Sequence, residues 1–362
     1  MGAFNGKLNS NEIFAALYNM IISQQVFADN IKGDDLIDQA RVDGGLHGDT
    51  KLYYSTDALA SSEWGNDEEA ANLLEIARPD APKCQAIHID NFRMINVTVD
   101  NYLSKRAWSD EGTFSQFNSI MLGWLRDTKK VSEGTRYNCF IGTCTATDEE
   151  GTAVASEIKE VTPTVAADAK QLAQALADIV TEMTDYSREF NGYGQLRRHS
   201  EAELKVIFNS KYINRIKNVD LPVIFDNAGL KATFSKEVLP ARYFGTVVKT
   251  PVQSSQNTGQ YRALVEQTIG GKHYFAGDKI AAGVDIPLIT SVYHESTPAC
   301  YEESDKVIAK IMVKLPPVMS AFETGTSFFN PRSLTENHYL VYSYNTLEEL
   351  KAYPMVTVKV SE

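Results

Sequence analysis

Between Ile87 and Val99 apolar positions alternate with polar ones, at Ile87, Ile89, Met94–Ile95, Val97 and Val99. A period of two is that of a strand with one buried face, and Asp100-Asn101 ends the run. Past Gly112 the period changes. Phe114, Phe117, Met121, Trp124–Leu125 and Val131 recur at helical spacing. Thr113-Phe114-Ser115-Gln116 reads as a capping box, in which the Thr113 hydroxyl takes a free amide of the first turn and Gln116 reaches back. The pattern predicts one helix from Thr113 to about Tyr137, far longer than the mean of roughly 11–12 residues. Its apolar face is expected to be core.

Other segments are shorter. From Asn11 to about Ala28 an apolar stripe (Ile13–Phe14, Leu17–Tyr18, Ile21–Ile22, Gln25–Val26) predicts an amphipathic helix, which lies either on its own domain or on another subunit. Polar residues and glycines follow from Asp29 to Asp49. Strands are predicted at Lys51–Ser55 and from Cys84, flanking a polar, acidic excursion of about thirty residues, a length that marks functional or interacting segments. A second helix is expected from about Val165 to Phe190, with Leu172, Leu176, Ile179–Val180 and Met183 buried and Asn191-Gly192 as its stop. Leu204–Phe208 reads as a buried strand and Lys211–Asn218 as a short helix ended by Asp220-Leu221-Pro222. Val223–Phe225 is another strand before a turn at Asp226–Gly229. The last third is mainly β: Tyr243–Lys249, Tyr261–Thr268, Lys306–Leu315, Tyr339–Tyr344 and Met355–Val360, with a flexible polar tip at Gln253–Gln260 and a short helix at Thr346–Ala352. Helices and strands in a non-alternating order define the class as α+β.

At 362 residues the chain has room for two domains or one elaborated domain. Its 43% hydrophobic and 23% charged residues are ordinary for a globular protein. The net charge of −12 argues against nucleic acid as a directly bound ligand, because phosphate contacts need clustered Lys and Arg. The acidity is uneven: Asp57, Glu63, Asp67, Glu68, Glu69, Glu75 and Asp80 are opposed only by Arg78. Such a stretch is either a solvated loop or a charged arm that pairs with a basic patch on a neighbouring subunit. Four cysteines (Cys84, Cys139, Cys144, Cys300) make no disulfide framework in a chain this long, and reduced thiols are expected. No signal peptide is expected from the N-terminus, and no apolar run reaches the roughly 18 residues of a membrane span. The Asn96-Val97-Thr98 sequon is a chance match within a strand.

Catalytic signatures are missing. There is no Gly-x-Ser-x-Gly elbow and no phosphate-binding loop. Gly192-Tyr193-Gly194 lacks a third glycine and follows a helix instead of a strand. Cys139 and Cys144 have no second ligand pair nearby, so they read as small residues near a helix end. His88-Ile89-Asp90 reads as a solvent face, and the six histidines (His47, His88, His199, His273, His294, His338) as makers of local hydrogen bonds. Gly270-Gly271-Lys272 reads as a hairpin turn and Arg197-Arg198-His199 as a surface loop. No catalytic residue, cofactor site or metal ligand is expected, and the protein is not expected to be an enzyme.

This order of elements resembles the opening plan of tailed-bacteriophage major capsid proteins of the Hong Kong 97-like fold. Thr98-Val99-Asp100-Asn101-Tyr102-Leu103, leading through Trp108 into the helix from Thr113, carries the resemblance, as does Leu204–Ser210 followed by a short helix. The resemblance implies an N-terminal arm over residues 1–40 and an extended hairpin loop over 41–92 that overlaps the adjacent subunit. It implies a peripheral domain with a spine helix over 93–145 and an axial domain over 146–240. A β-rich remainder over 241–362 would complete both domains. It further implies hexamers and pentamers in an icosahedral shell around double-stranded DNA held without sequence-specific binding, assembled in the host bacterial cytoplasm. Partners would be other copies of the chain, a portal and decoration proteins, and no membrane. No long coiled-coil region precedes the arm, so the resemblance implies a separate scaffolding protein, and no lysine–asparagine cross-linking pair is matched. An encapsulin-like nanocompartment shell shares this plan. A cytosolic enzyme with a site assembled from distant residues is the alternative of a different class.

Overall fold

The computed structural model describes residues 35–61, 78–100, 111–143, 157–161, 169–190, 194–212, 235–248, 251–287, 300–304, 306–345 and 355–360, with Ile76 and Leu347 singly. In chain order its elements open with α1 (Asp35–Ala40), β1 (Arg41–Asp43), β2 (Thr50–Ser55), β3 (Lys83–His88), β4 (Asn91–Asp100) and the long helix α2 (Glu111–Thr143). Then come β5 (Glu157–Val161), α3 (Ala169–Met183), β6 (Lys205–Asn209), β7 (Ser235–Leu239), β8 (Gly245–Val248), β9 (Tyr261–Ala263), β10 (Gln267–Ile269) and β11 (Lys272–Tyr274). The chain closes with β12 (Cys300–Glu303), β13 (Val307–Met312), β14 (Val318–Asn330), β15 (Thr335–Tyr344) and β16 (Met355–Val360). The predicted helix at residues 11–28 and the acidic segment between β2 and β3 lie largely outside the described residues. So do the strand at 223–225 and the helix at 346–352.

The chain divides into two compact units. The first comprises Met1–Asp49, Ile89–Tyr137 and Pro317–Asn345. Its sheet has the order β1-β14-β15-β4, with β1 parallel to β14 and the other pairs antiparallel. Asn345 closes the sheet's end: buried, it donates from its amide to Pro317 O and accepts from the Met319 amide at 2.7 Å. The 13-residue strand β14 has no counterpart among the predicted elements. Its residues Glu323 to Phe329 are exposed, Gly325 interrupts them, and no period of two emerges. The ladder to β15, which runs from Ser320–Tyr344 to Asn330–Thr335, is what makes it a strand.

The alternation from Ile87 to Val99 is two strands, not one. It breaks at Ile89-Asp90: β3 pairs with β2, and β4 pairs with β15. Ile87, Ile89 and Val99 are buried as the pattern requires, but Met94 and Phe92 stand out in solvent on the far face of β4. A period of two reports which side chains share a face, and it is blind to a change of partner strand.

Helix α2 spans Glu111–Thr143 against an expected Thr113 to about Tyr137. The extension is possible because Tyr137, Cys139, Phe140 and Ile141 are buried on every side, which an amphipathic period does not flag. Leu125 is buried as expected and Trp124 is largely exposed. The side chains of the predicted capping box lie outside the described set.

The second unit comprises Thr50–His88, Asn138–Pro316 and Thr346–Glu362. Its main sheet has the order β5-β16-β13-β6-β7. Helix α3 lays Leu176, Ile179, Val180 and Met183 against Val206, Phe208, Ile308, Ile311, Val356 and Val358. It ends at Met183, well before the expected Phe190. Asp185 and Ser187 take the Tyr186 and Glu189 amides with their own side chains, and such local bonds compete with the helix.

Between β7 and β13 the chain builds a sheet β8-β12-β9 and a hairpin β10–β11 around Val252, Ala263, Ile269, Tyr274, Ile280, Ile286 and Cys300. The hairpin turn at Gly270-Gly271 is as predicted, with φ of 58° and 77°. The expected single strand Tyr261–Thr268 divides in two, and the expected flexible tip is pinned, because buried Asn257 donates to the Ala281 and Val284 carbonyls.

Two glycines of α2 make opposite predictions. A Cβ on Gly142 would stand 2.0 Å from the Tyr243 carbonyl oxygen, a backbone atom that cannot rotate away, whereas one on Gly123 would meet nothing within 4 Å. Gly142→Ala should destabilise the chain by at least about 1–3 kcal/mol. Gly123→Ala should stabilise it by about 0.5–1 kcal/mol through helix propensity. Urea unfolding of the two variants checks both signs.

Candidate functional site

The residues weighed for chemistry are occupied structurally. Cys139 is fully buried, and its thiol is pushed up to about 12 by burial. Its Sγ lies 3.8 Å from the Tyr301 hydroxyl, which itself donates to Arg242 O at 2.6 Å. Cys300 is likewise pushed up to about 12 by burial, so neither thiol supplies a thiolate at neutral pH. His88 Nδ1 lies 2.8 Å from the Thr50 hydroxyl across the β2–β3 pair. Cys144 lies outside the described residues. Among the described residues no three His, Cys, Asp or Glu side chains converge as a metal site would require, and no helix is long and apolar enough to cross a membrane.

The basic cluster at Arg197-Arg198-His199 is not open to an anion. Arg197 donates to Ser55 Oγ (2.6 Å), to Thr56 O (2.5 Å) and to Gln195 Oε1 (2.6 Å). Arg198 donates to Thr184 O and lies over the Tyr186 ring. Burial, foremost, keeps His199 below its ordinary pKa. Arg197 is part of a clamp at the loop end of the β2–β3 ribbon, where Ser55 leads into the excursion. There Asp57 accepts from Arg188, from the Leu196 amide at 2.9 Å and from the Ala58 amide at 2.8 Å. The Arg188 bond, then the Leu196 amide, hold the Asp57 carboxyl at about 2.

Between this clamp and its Thr50–His88 end the ribbon buries Ile87 but leaves part of β2 uncovered. Leu52, Tyr53 and Tyr54 are successive residues, so their side chains emerge on both faces, and all three are exposed. A two-stranded ribbon is marginal in water without further cover.

In the first unit, charges are shut inside. The Glu133 side chain on α2 is 3% exposed; Arg41 Nη2 of β1 meets its Oε2 at 2.8 Å, and Lys129 Nζ stands 3.6 Å from its Oε1. Lys129 also binds Glu323 of β14 at 2.6 Å and lies 5.1 Å from the Tyr342 ring centre. One turn of helix further on, the Arg136 guanidinium sits 3.5 Å from the centre of the Tyr344 ring. Neither the charges nor their partners were visible as a group in the sequence, because β1, α2, β14 and β15 are far apart along it.

Beside this network a groove of about 780 Å³ opens between α2 and the β14–β15 hairpin, lined by Leu125, Arg126, Gly325, Ser327, His338 and Leu340. Glu323, already paired with Lys129, borders it. His338 departs from the expectation of local hydrogen bonding: it is 8% exposed and its Nε2 has no hydrogen-bond partner among the described residues.

No protein-family model matches the chain, and no curated protein matches it in sequence. Solved structures do match in fold. A chain in the capsid structure of Staphylococcus phage Andhra superposes with a TM-score of 0.58 at 11% identity, covering 92% of this chain and 86% of that one. A chain in the structure of the head fiber and inner core protein gp22 of bacteriophage P68 superposes with a TM-score of 0.57 at 11% identity, covering 100% of this chain and 89% of that one.

Two predictions follow from the clamp and from the buried charges. Asp57→Ala should speed amide exchange over residues 194–198, since the Leu196 amide loses its acceptor; unchanged exchange by mass spectrometry would refute the clamp. In the parent the carboxylate's contribution is present above the unfolded value of 3.8 and fades as pH falls towards 2, so the same peptide should loosen only in that acid window. Glu133→Ala takes their shared buried partner from Lys129 and Arg41, which keep Glu323 and Asp38, and should cost about 1–3 kcal/mol in urea unfolding.

Proposed function

Because the chain has the fold of a tailed-phage capsid protein, we propose that it is the structural subunit of a phage head, self-assembling into hexamers and pentamers of an icosahedral shell around double-stranded DNA. The observation that carries this reading is the fold itself, shared over nearly the whole chain with structures from phage particles. In this assignment the layout is Hong Kong 97-like. Residues 1–40 are an arm, 41–92 an extended loop, 93–145 the peripheral domain with its spine helix, 146–240 the axial domain, and 241–362 the β-rich completion of both.

Physical features of the chain support the assignment. The β2–β3 ribbon exposes Leu52, Tyr53 and Tyr54, which suits a loop that gains its cover from a neighbouring copy. The net charge of −12 suits a lining along which DNA slides without adhering. Many such overlaps distribute shell stability over contacts that are individually weak. Assembly of this kind would draw on a separate scaffolding protein, a portal and decoration proteins, and would take place in the bacterial cytoplasm before the subunit becomes part of the virion.

Negative-stain microscopy of the purified chain, alone and after co-expression with a scaffolding protein, should reveal capsomer rings or closed particles. A stable monomer under both conditions would overturn the reading. Deleting residues 1–28 should leave a soluble, folded subunit that no longer forms shells, because their amphipathic stripe serves another copy; complete shells from the truncated chain would remove the arm from the assignment.

A further inference from the structure

The β2–β3 ribbon is a two-stranded sheet by itself, and a lone pair of strands is marginal in water. Its loop end is fixed by a short stretch of the same compact unit, residues 188–197. Three consecutive residues at the end of β2 and just beyond it are bound there. Gln195 Nε2 donates to Ser55 O at 3.1 Å, and the Ser55 hydroxyl donates to Gln195 Oε1. Arg197 Nη2 donates to Ser55 Oγ at 2.6 Å and to Thr56 O at 2.5 Å. Asp57 accepts from Arg188 and, at 2.9 Å, from the Leu196 amide.

The stretch that makes these bonds is itself stiff. Ser187 and Arg197 exchange both backbone hydrogen bonds at 3.0 Å, which joins the two arginine positions through the main chain. Arg188 Nη1 also donates to Gly194 O at 3.0 Å, and Gly194 has a φ of 64°, a conformation that favours glycine. Gln195 is buried, and Arg197 Nη2 lies 2.6 Å from its Oε1. The Arg188 side chain is 53% exposed, so its ion pair with Asp57 adds little to global stability. What the clamp adds is direction. With Ser55, Thr56 and Asp57 held in succession, the chain after Asp57 has one way out.

We propose that Arg197 and Arg188 are positioning residues of assembly, which set the angle at which the loop after Asp57 leaves its own subunit and thereby whether a shell closes. The inference rests on the shell function. A contact of one copy on the next is repeated throughout a shell, and a head-to-tail contact closes only when its rotation is right. A loop already ordered in the free subunit also lowers the entropy lost at every such contact. Both arginines bind residues of their own copy, so they act on the angle of the loop and not on the surface that receives it.

The test compares the full-length parent with Arg197→Ala and Arg188→Ala, each co-expressed with a scaffolding protein and viewed by negative-stain microscopy. Hydrogen exchange and thermal melting are measured on the unassembled chains. Arg188 is exposed, so its replacement keeps the test alive should Arg197→Ala fail to fold. Melting should match the parent, while exchange in the peptide covering Tyr53–Ala58 should speed up at least about tenfold, as a loss of local protection does. Closed particles should fall at least about tenfold, replaced by open sheets, spirals or particles of mixed diameter. Arg188→Lys keeps a charge beside Asp57 and should restore closed particles.

Parental particles from variants whose Tyr53–Ala58 peptide exchanges faster overturn the proposal. Exchange that neither alanine substitution changes also overturns it, because the arginines then do not hold the loop. A parent chain that forms no particles overturns the shell function instead, and the exchange measurement still decides what the arginines hold.

Discussion

Glu133 is a carboxylate on the flank of a long helix with almost no access to water, and that single constraint organises the first unit. A buried charge is tolerated only when it is paired. Its partners are Arg41, far back in the sequence on β1, and Lys129 one turn earlier on α2 itself, which in turn reaches Glu323 on β14. To satisfy one side chain, the short strand β1, the helix and the long hairpin must all be in register. The parallel pairing of β1 with β14 and the stacking of Arg136 on Tyr344 belong to the same arrangement. Helix α2 is thus held by paired charges and aromatic rings along a stretch where simple amphipathicity would have placed only apolar residues.

Other parts of the molecule are incomplete by the same physical standard. The β2–β3 ribbon buries Ile87 but leaves Leu52, Tyr53 and Tyr54 exposed. The groove beside α2 holds an imidazole nitrogen with no hydrogen-bond partner among the described residues. In a free-standing enzyme such features would point to a substrate site, but the accessible nucleophiles and converging carboxylates of an active site are missing from the described residues, and the cysteines there are either buried and protonated or single. Under the proposed shell function they would be surfaces for further copies of the same chain.

Much of the local structure was legible in the order of residues. Strands β2, β6, β13 and β16, the hairpin turn at Gly270-Gly271 and the existence of two long helices all follow from apolar period and turn chemistry. Strand β14 did not, because its exposed face and central glycine carry no alternation; it is a strand through its neighbours. Likewise Arg197 looked like one of a surface basic group, and its hydrogen bonds to Ser55, Thr56 and Gln195 depend on a loop more than a hundred residues away.

The sequence by itself determined the elements with one buried face, the α+β class, the acidity and the lack of catalytic motifs, because period, propensity and charge are properties of neighbours along the chain. Tertiary structure alone decided which strand pairs with which, that the alternation from Ile87 to Val99 serves two different sheets, and that Glu133 and His338 are buried while Arg126 is not. Those are properties of neighbours in space. Burial of a charge or of an unbonded nitrogen acquires its energetic meaning only when the groups around it are known.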